Sequence, residues 1–482
     1  MDSSDWLRIA FDHFHANRLK EAEQGCREAM RLDPHNAEVW MLLGMLAMRG
    51  KNPQAALELM RKAQTLRPDS AEILAALGTV LFQLDRLVEA QAVYEASIKL
   101  SPGQFMSHHN LGVIHQRTGN MNASAQSFFR AAELMPNHVL TRLNLGAVLR
   151  DLGRFAESTA QFQAAVALDP NMADAFMQQS WNALLTGDYA RGWPLFEWRW
   201  RCNGFAFPQF SQPIWDGSPL AGRSIMLHAE QGLGDTIQFA RYATVLSKTA
   251  REVTIYTPAL LRTVLSTVPG ATRAVSVRQE LPSFDVWCPM MSLPLKCGTT
   301  VATIPAPIPY VSADASSVET WRELIRHDPP GYRIGICWAG NRANYNDVNR
   351  SIPANLIQPL ARIPGIAAYS LQVGDASGDA RQFGLIDHTA RLTDFAQSAA
   401  LMMNLDLIIS VDTACAHLAG ALGRKVWTLV PFAPEWRWML DRSDSPWYPT
   451  MRIVRRAPTE EWPPVIARVA NDLRELANHV AG

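Results

Sequence analysis

One interval, 34 residues, governs the first part of the sequence. Pro34, Pro68, Pro102, Pro136 and Pro170 are spaced by it, as are Gly44, Gly78, Gly112 and Gly146. Ala22, Ala56 and Ala90 keep the same step, continued by Ser124 and Ser158, and a further small-residue position runs through Ala29, Ala63, Ser97, Ala131 and Ala165. Such a chain builds one supersecondary unit repeatedly, and each unit buries its apolar face on the next. Small residues at fixed places let two antiparallel helices approach, and the proline closes the second helix. The units are expected to begin near Ser3, Ala37, Ala71, Phe105 and Val139. A degenerate sixth unit from Ala173 has Ser180 at the glycine position, then Trp181, Trp193, Trp198 and Trp200. Terminal repeats are atypical because they cover an end or dock on a neighbour. The tryptophan-rich unit is therefore the expected junction with the rest of the chain.

This pattern resembles the tetratricopeptide repeat (TPR). An α-solenoid, a TPR superhelix of about six units over residues 1–204, is the expected fold, with a concave face suited to a protein partner. Asn110 and Asn144 share one repeat position, two residues before the glycine. The layout is also similar to O-GlcNAc transferases, whose repeats hold the acceptor peptide backbone with asparagines at that position. The resemblance thus implies Asn110 and Asn144 as acceptor-binding residues. Leu42 and Ala76 occupy the position earlier in the array, and two solvated asparagines are the alternative.

From Phe205 the period is lost and Pro208, Pro213, Trp215, Gly217, Pro219 and Gly222 mark the entry to something new. Ser224–His228 reads as a strand, Gln231 to Asp235 as a tight glycine loop, and Thr236–Thr249 as a helix, followed by strands near Val253–Tyr256 and Phe284–Cys288. The loop lacks the third glycine of the dinucleotide fingerprint, which excludes an NAD site. A second linker, Asp328-Pro329-Pro330-Gly331, precedes a renewed alternation. Strands are expected at Arg333–Trp338, Ala368–Val373, Leu405–Val411, Val426–Val430 and Met451–Arg455. Helices are expected at Pro353–Arg362, Asp394–Asn404, Thr413–Leu422, Glu435–Leu440 and Glu461–Val480. Alternating strands and helices mean a parallel, doubly wound sheet. Two Rossmann-like α/β lobes, 205–328 and 329–482, are of ordinary domain size.

The stretch Ile409–Gly423 concentrates the chemistry. An apolar strand runs into Asp412-Thr413, either of which can cap the small-residue helix that follows. Free backbone N–H groups and the positive end of the helix dipole make that point an anion site. Gly232, Gly234 and Asp235, then Asn341, Arg342, Asp347 and Arg350, then Phe432 to Trp438, also follow strands, where open α/β sheets bind ligands.

Asp412-Thr413 with His417-Leu418-Ala419 and Leu422-Gly423 resembles the donor-binding motif of the heptosyltransferase-like glycosyltransferases, family nine. Gly232-Leu233-Gly234-Asp235 is similar to that family's N-terminal glycine loop with its catalytic aspartate. Trp338-Ala339-Gly340-Asn341, Asn346-Asp347 with Arg350-Ser351-Ile352-Pro353, and the run from Glu435 to Pro449 are similar to its TPR-fused bacterial members. The resemblance implies a GT-B fold and inverting, metal-independent transfer of a sugar from a nucleotide-sugar donor. Arg342 and Asn344 stand where a proline and a histidine are expected, which bears on the donor sugar.

Inverting transfer needs a base on the acceptor hydroxyl and positive charge for the departing phosphate. Asp235 is the candidate base, or else a helix cap. One exposed helix terminus contributes only about 0.3–1 kcal/mol, so cations are needed, and Arg350, Arg342, Arg437 and Arg442 are available. Gly232, Gly234, Asn341, Arg350, Asp412, Thr413, His417 and Arg437 form the candidate donor site. His417 stands one turn beyond Thr413, as a ligand contact or a satisfied core histidine, and Trp436 and Trp438 are base-stacking or core residues. No acidic pair has metal-ligand spacing, and no metal or cofactor is expected.

Lys+Arg and Asp+Glu both total 45, which argues against a nucleic-acid partner. Cysteines 26, 202, 288, 297, 337 and 415 show no paired spacing, which fits a reducing, cytoplasmic setting. The N-terminus lacks a basic-then-apolar signal, and no apolar run reaches the roughly 18 residues of a membrane span. The expected partners are a nucleotide-sugar donor and a protein acceptor on the TPR face, with flagellin or another surface protein as the named candidate. A saccharide or lipopolysaccharide acceptor and a catalytically inactive TPR scaffold remain open alternatives.

Overall fold

In the computed structural model the chain forms two compact units, Met1–Ala175 and Phe176–Gly482. The structure describes residues 1–481 except 278, 306, 343–346, 375, 377, 379 and 459, and it describes the backbone but not the side chains of 348 and 479–481.

The first unit holds five helix pairs: Ser3–His15 with Leu19–Leu32, Ala37–Arg49 with Pro53–Leu66, Ala71–Gln83 with Leu87–Leu100, Phe105–Arg117 with Met121–Leu134, and Val139–Asp151 with Phe155–Leu168. Every first helix starts at the residue the period indicates. The glycines are explained by what they face. A Cβ at Gly44 would lie 2.9 Å from Met60, and at Gly78, Gly112 and Gly146 it would lie 2.6, 2.7 and 2.5 Å from Tyr94, Phe128 and Phe162. A large side chain on the second helix thus fills the space that the missing Cβ leaves on the first. Where serine replaces alanine at the crossing it is bonded: Ser124 and Ser158 each donate to the carbonyl of Gly112 and Gly146 at 2.7 Å.

A sixth pair, Ala173–Leu185 and Tyr189–Phe196, opens the second unit. Its small residues are exchanged. Ser180 sits on the first helix and donates to Gly192 O (2.9 Å), and a Cβ on Gly192 would lie 2.5 Å from Leu184. Its aromatics join the core of the α/β part, as the tryptophan content leads one to expect. Trp193 Nε1 donates to Thr299 O (3.0 Å) and its ring meets Trp436 at 5.2 Å, while Tyr189 OH accepts from Trp447 Nε1 at 3.2 Å.

Two parallel sheets follow. The first is β1 (Ser224–His228), β2 (Glu252–Thr257), β3 (Arg273–Ser276) and β4 (Val286–Pro289), in the order β3-β2-β1-β4. The second is β5 (Tyr332–Cys337), β6 (Ile366–Ser370), β7 (Leu407–Val411), β8 (Val426–Val430) and β9 (Met451–Arg455), in the order β6-β5-β7-β8-β9. Both are Rossmann-like. Each reverses its winding direction once, beside β1 in the first and between β5 and β7 in the second. Such switch points open a crevice past the strands' carboxyl ends. In the second lobe Ile334, Ile336, Ile409, Val411 and Leu429 share one core with Val465, Val469 and Leu473 of the closing helix Trp462–Ala481.

Two expected helices are broken. The one from Thr236 becomes Leu233–Ala240 and Tyr242–Leu246, interrupted at Arg241. The one over 353–362 becomes a single turn, Ala354–Leu356, and a short helix, Gln358–Ala361. Pro359 lacks the N–H that a continuous helix needs there.

Candidate active site

β7 is buried along its whole length and delivers Asp412 and Thr413 to the start of the Ala414–Ala421 helix. Thr413 is the N-cap residue, but its side chain caps nothing. Its hydroxyl lies 3.0 Å from Ser410 Oγ and 3.6 Å from Cys337 Sγ instead. Ala416 N and His417 N turn back to Thr413 O (3.0 and 3.4 Å), which leaves the N–H groups of Ala414 and Cys415 to an external acceptor or water.

The facing element is the Leu233–Ala240 helix of the first lobe. Gly232 is its N-cap and donates its own N–H to Asp235 Oδ2 at 3.0 Å. Gln231, just before it, has a left-handed backbone with φ 59°, an uncommon conformation for a residue with a Cβ and one that clusters at functional loops. Gly234 is where the two helices touch. A Cβ there would lie 2.6 Å from His417 Cδ2 and 3.5 Å from Ala414 Cα. Two helix N-termini, one from each lobe, thus come together, and their dipoles add in favour of an anion.

Around that junction the charges are interlocked. Arg437 reaches across from the second lobe, with its Nη2 on Asp235 Oδ1 and its Nε on Gln238 Oε1 (2.8 Å). Its Nη1 lies 3.6 Å from Glu435. Burial works against the Arg437 charge, and Asp235, Glu435 and Asp412 outweigh it and hold the group above its ordinary value. Burial raises the Glu435 carboxyl, with Arg437 pulling the other way. Arg350 donates to Asp412 O (3.1 Å) and to Asp347 Oδ1 (3.2 Å), and its guanidinium occupies the space beside Gly340, where a Cβ would lie 2.4 Å from Nη2.

His417 is 2% exposed and its Nδ1 is 2.8 Å from Tyr448 OH. Burial, then Arg437, Arg241 and Arg350, push it well below the ordinary histidine value. It is a neutral ring that sets the spacing of the two helices, with Nε2 3.9 Å from Asp412.

Of the candidate residues, the structure brings together Gly232, Gly234, Asp235, Arg350, Asp412, Thr413, His417 and Arg437. Asn341 and Arg342 are exposed on the loop after β5, and Asn344 and Asn346 lie outside the described residues. Arg442 pairs with Asp444 at 2.7 Å. Trp436 and Trp438 are buried at 3% and 0% exposure, which makes them core residues. Asn110 donates to Tyr94 OH at 2.8 Å inside the array, and Asn144 is half-buried. A hollow of about 750 Å³ in the first unit lies at its first two repeats, lined by Arg8, Phe11, His15, His35, Glu38 and Arg67.

Three features escape a reading of the sequence. Arg241, 1% exposed, donates to Gln238 O, Pro305 O and Trp447 O and lies under the rings of Tyr310 and Tyr448, so carbonyls and π faces carry its charge. Gln372 accepts from Trp338 N (3.1 Å) and Ala339 N (2.9 Å), fixing the loop after β5. A cavity of about 250 Å³ lies beside the glycine loop, lined by Trp200, Phe205, Pro208, His228, Glu230 and Gln231. Glu230 is held there by Arg199 at 3.0 Å, and His228, pushed down to about 4 by burial, leaves its Nδ1 without a protein partner. Only the pairing of distant segments produces these features.

Comparison with known proteins follows the same division. Residues 8–71, 47–104 and 139–168 match tetratricopeptide repeats, and residues 389–460 match glycosyltransferase family 9 (heptosyltransferase). Protein FlbA of Caulobacter vibrioides is 26% identical over 487 residues, covering 93% of this chain and 80% of FlbA. Among solved structures, Pseudomonas aeruginosa pilF is 16% identical with a TM-score of 0.40, covering 42% of this chain and 93% of pilF. The type IV pilus biogenesis factor PilW is 20% identical with a TM-score of 0.38, covering 42% of this chain and 93% of PilW. The chain thus carries tetratricopeptide repeats followed by a segment that matches glycosyltransferase family 9 (heptosyltransferase).

Proposed function

We propose that this protein transfers a sugar from a nucleotide-sugar donor to a protein acceptor, with inversion and without a metal, in a GT-B arrangement of its two α/β lobes. The observation that carries the reading is the Asp235–Arg437 ion pair, formed between the lobes where two helix N-termini meet. The donor's phosphates take the start of the Ala414–Ala421 helix, with Thr413, Arg350 and Arg437 around them. As they bind, Arg437 turns from Asp235 to the phosphate. Asp235 Oδ1 is then free to accept the acceptor's hydroxyl proton, while Gly232 N–H keeps Oδ2 in place. The hydroxyl oxygen attacks the anomeric carbon from the face opposite the phosphate, the C–O bond to phosphate breaks, and the arginines and N–H groups stabilise the charge that develops. Asp412 and His417 fix the helix start, and Asn341 stands at the rim.

The cavity beside Gln231 lies on the acceptor side of the loop and receives the hydroxyl-bearing group. The repeats present the acceptor, and Asn110 and Asn144 belong to that role. A surface or appendage protein such as flagellin fits an acceptor that needs a long docking face. The family's own description favours a second reading, a saccharide acceptor with the repeats only recruiting partners.

The test is incubation with UDP-, ADP-, GDP- and CMP-sugars and with protein and glycan acceptors, read by intact mass. The expected result is a mass gain on protein that falls by about 10²–10⁴-fold in rate in Asp235→Ala. Gain on glycan alone supports the second reading. No gain on either, together with no nucleotide binding, overturns both.

A further inference from the structure

The sixth helix pair ends in a short turn, Glu197–Arg201, whose consecutive side chains go to three different places. Trp198 stacks on Phe176 of the pair's first helix, with ring centroids 3.8 Å apart. Trp200 meets Phe207 at 5.0 Å and lines the cavity beside the glycine loop. Arg199, between them, is fully buried and uses all five of its N–H groups. Nε and Nη2 donate to the two carboxylate oxygens of Glu230 at 3.0 Å each, a bidentate fork. Nη2 also donates to Ser292 Oγ (2.7 Å), and Nη1 donates to Glu197 Oε1 (2.7 Å) and Phe196 O (3.2 Å). Ser292 in turn donates to Glu197 Oε1 at 2.9 Å.

Glu230 is held from a third side by Met291 N (3.0 Å), in the turn that follows β4. Gln231 comes next, with its left-handed backbone, and then Gly232, whose N–H is bonded to Asp235 Oδ2. Such a backbone persists only where its surroundings over-determine it. Here the fork on Glu230 anchors the bend from behind and the Gly232–Asp235 bond anchors it from ahead. A single residue separates the two anchors, so the position of Glu230 is passed on to the carboxylate of Asp235. A buried ion pair adds little net stability over apolar side chains of the same volume, and what its fork supplies is a fixed geometry.

We propose that Arg199 is a positioning residue for transfer. Through Glu230 it fixes the glycine loop that aims Asp235, and it ties that loop to the sixth helix pair. The anchoring of the loop stands on the contacts alone; its effect on transfer rests on the function proposed above.

The test uses the full chain carrying Glu230→Gln, Arg199→Lys or both. Glu230→Gln keeps the shape but turns an NH₂ toward the guanidinium, and Arg199→Lys keeps the charge but cannot make two parallel bonds. Each is expected to lower kcat by about 10²-fold, the cost of a misplacement of roughly 1 Å. Calorimetry with UDP, ADP, GDP and CMP is expected to give the wild-type Kd, because the Ala414–Ala421 helix does not depend on the fork. Amide exchange at Gly232 and at Thr236, which donates to Gly232 O at 3.1 Å, should quicken while that helix stays unchanged. The double variant should be little slower than the slower single one, as for groups that act as a unit. A wild-type kcat in either variant, losses that multiply in the double variant, or nucleotide binding lost along with kcat overturns the proposal. Should Arg199→Lys fail to fold, Glu230→Gln decides alone. If the wild type transfers no sugar, the proposed function fails, and the exchange rates at Gly232 and Thr236 decide the anchoring: unchanged rates in Glu230→Gln overturn it.

Discussion

The repeat array and the α/β lobes both use a glycine to bring two helices together, but with different reach. In the array, Gly146 and Phe162 are neighbours in one hairpin, and the same pairing returns at Gly112 with Phe128 and Gly78 with Tyr94. In the lobes, Gly234 meets His417 from a distant part of the chain, once. A local contact that recurs can be read from its period and lost in one copy without losing the rest. A contact made once between distant segments is a single point on which the whole site depends.

Breaking each contact should expose this difference. The largest effect is expected from Gly234→Val, whose side chain would overlap His417 and force the two helix starts apart. A misplacement of about 1 Å costs roughly 10²-fold in rate, so transfer should fall at least that far in a kinetic assay, with hydrogen exchange in the array unchanged. Gly146→Leu should instead cost about 1–3 kcal/mol through overpacking against Phe162, read as faster exchange confined to residues 1–175. Adding Phe162→Ala should restore most of it. A rate loss in Gly146→Leu on a small acceptor as large as that in Gly234→Val would erase the distinction.

A smaller, graded effect separates the units by pH. His109 in the array is pushed from 6.5 to about 4 by burial and then by His138, and burial does the same to His228 in the first lobe. Each folded unit binds fewer protons than its unfolded chain. The stability these groups contribute is therefore full above 6.5 and is lost as pH falls from 6.5 toward 4. Exchange measured across that range should accelerate in both units. His109→Asn should reduce the dependence in the array alone, where His138 keeps part of it, and His228→Asn should reduce it in the second unit alone, where His417 keeps part of it.

Legibility in the sequence follows the same line. The helix starts at Ser3, Ala37, Ala71, Phe105, Val139 and Ala173 are visible because the chain states them repeatedly. β1, β8 and β9 are visible as short apolar runs between turn residues. β3 is not, because Arg273–Ser276 is a short edge strand with an exposed start. Asp235, Thr413 and Arg350 are recognisable from local motifs. Arg437 as the partner of Asp235 and Arg241 beneath its tyrosines are not, since each relation joins segments far apart. Thr413 shows the limit of a local rule: the cap position is right, yet its hydroxyl serves Ser410 and Cys337.

The central claim is that Asp235 and Arg437, one from each lobe, act as one reaction centre. A double-mutant cycle on kcat/KM with Asp235→Asn and Arg437→Gln tests it most directly. Groups that work as a unit give strongly non-additive losses, so the double variant should be little slower than the slower single variant. Losses that simply add, or an Arg437→Gln variant as active as the wild type, would contradict the account.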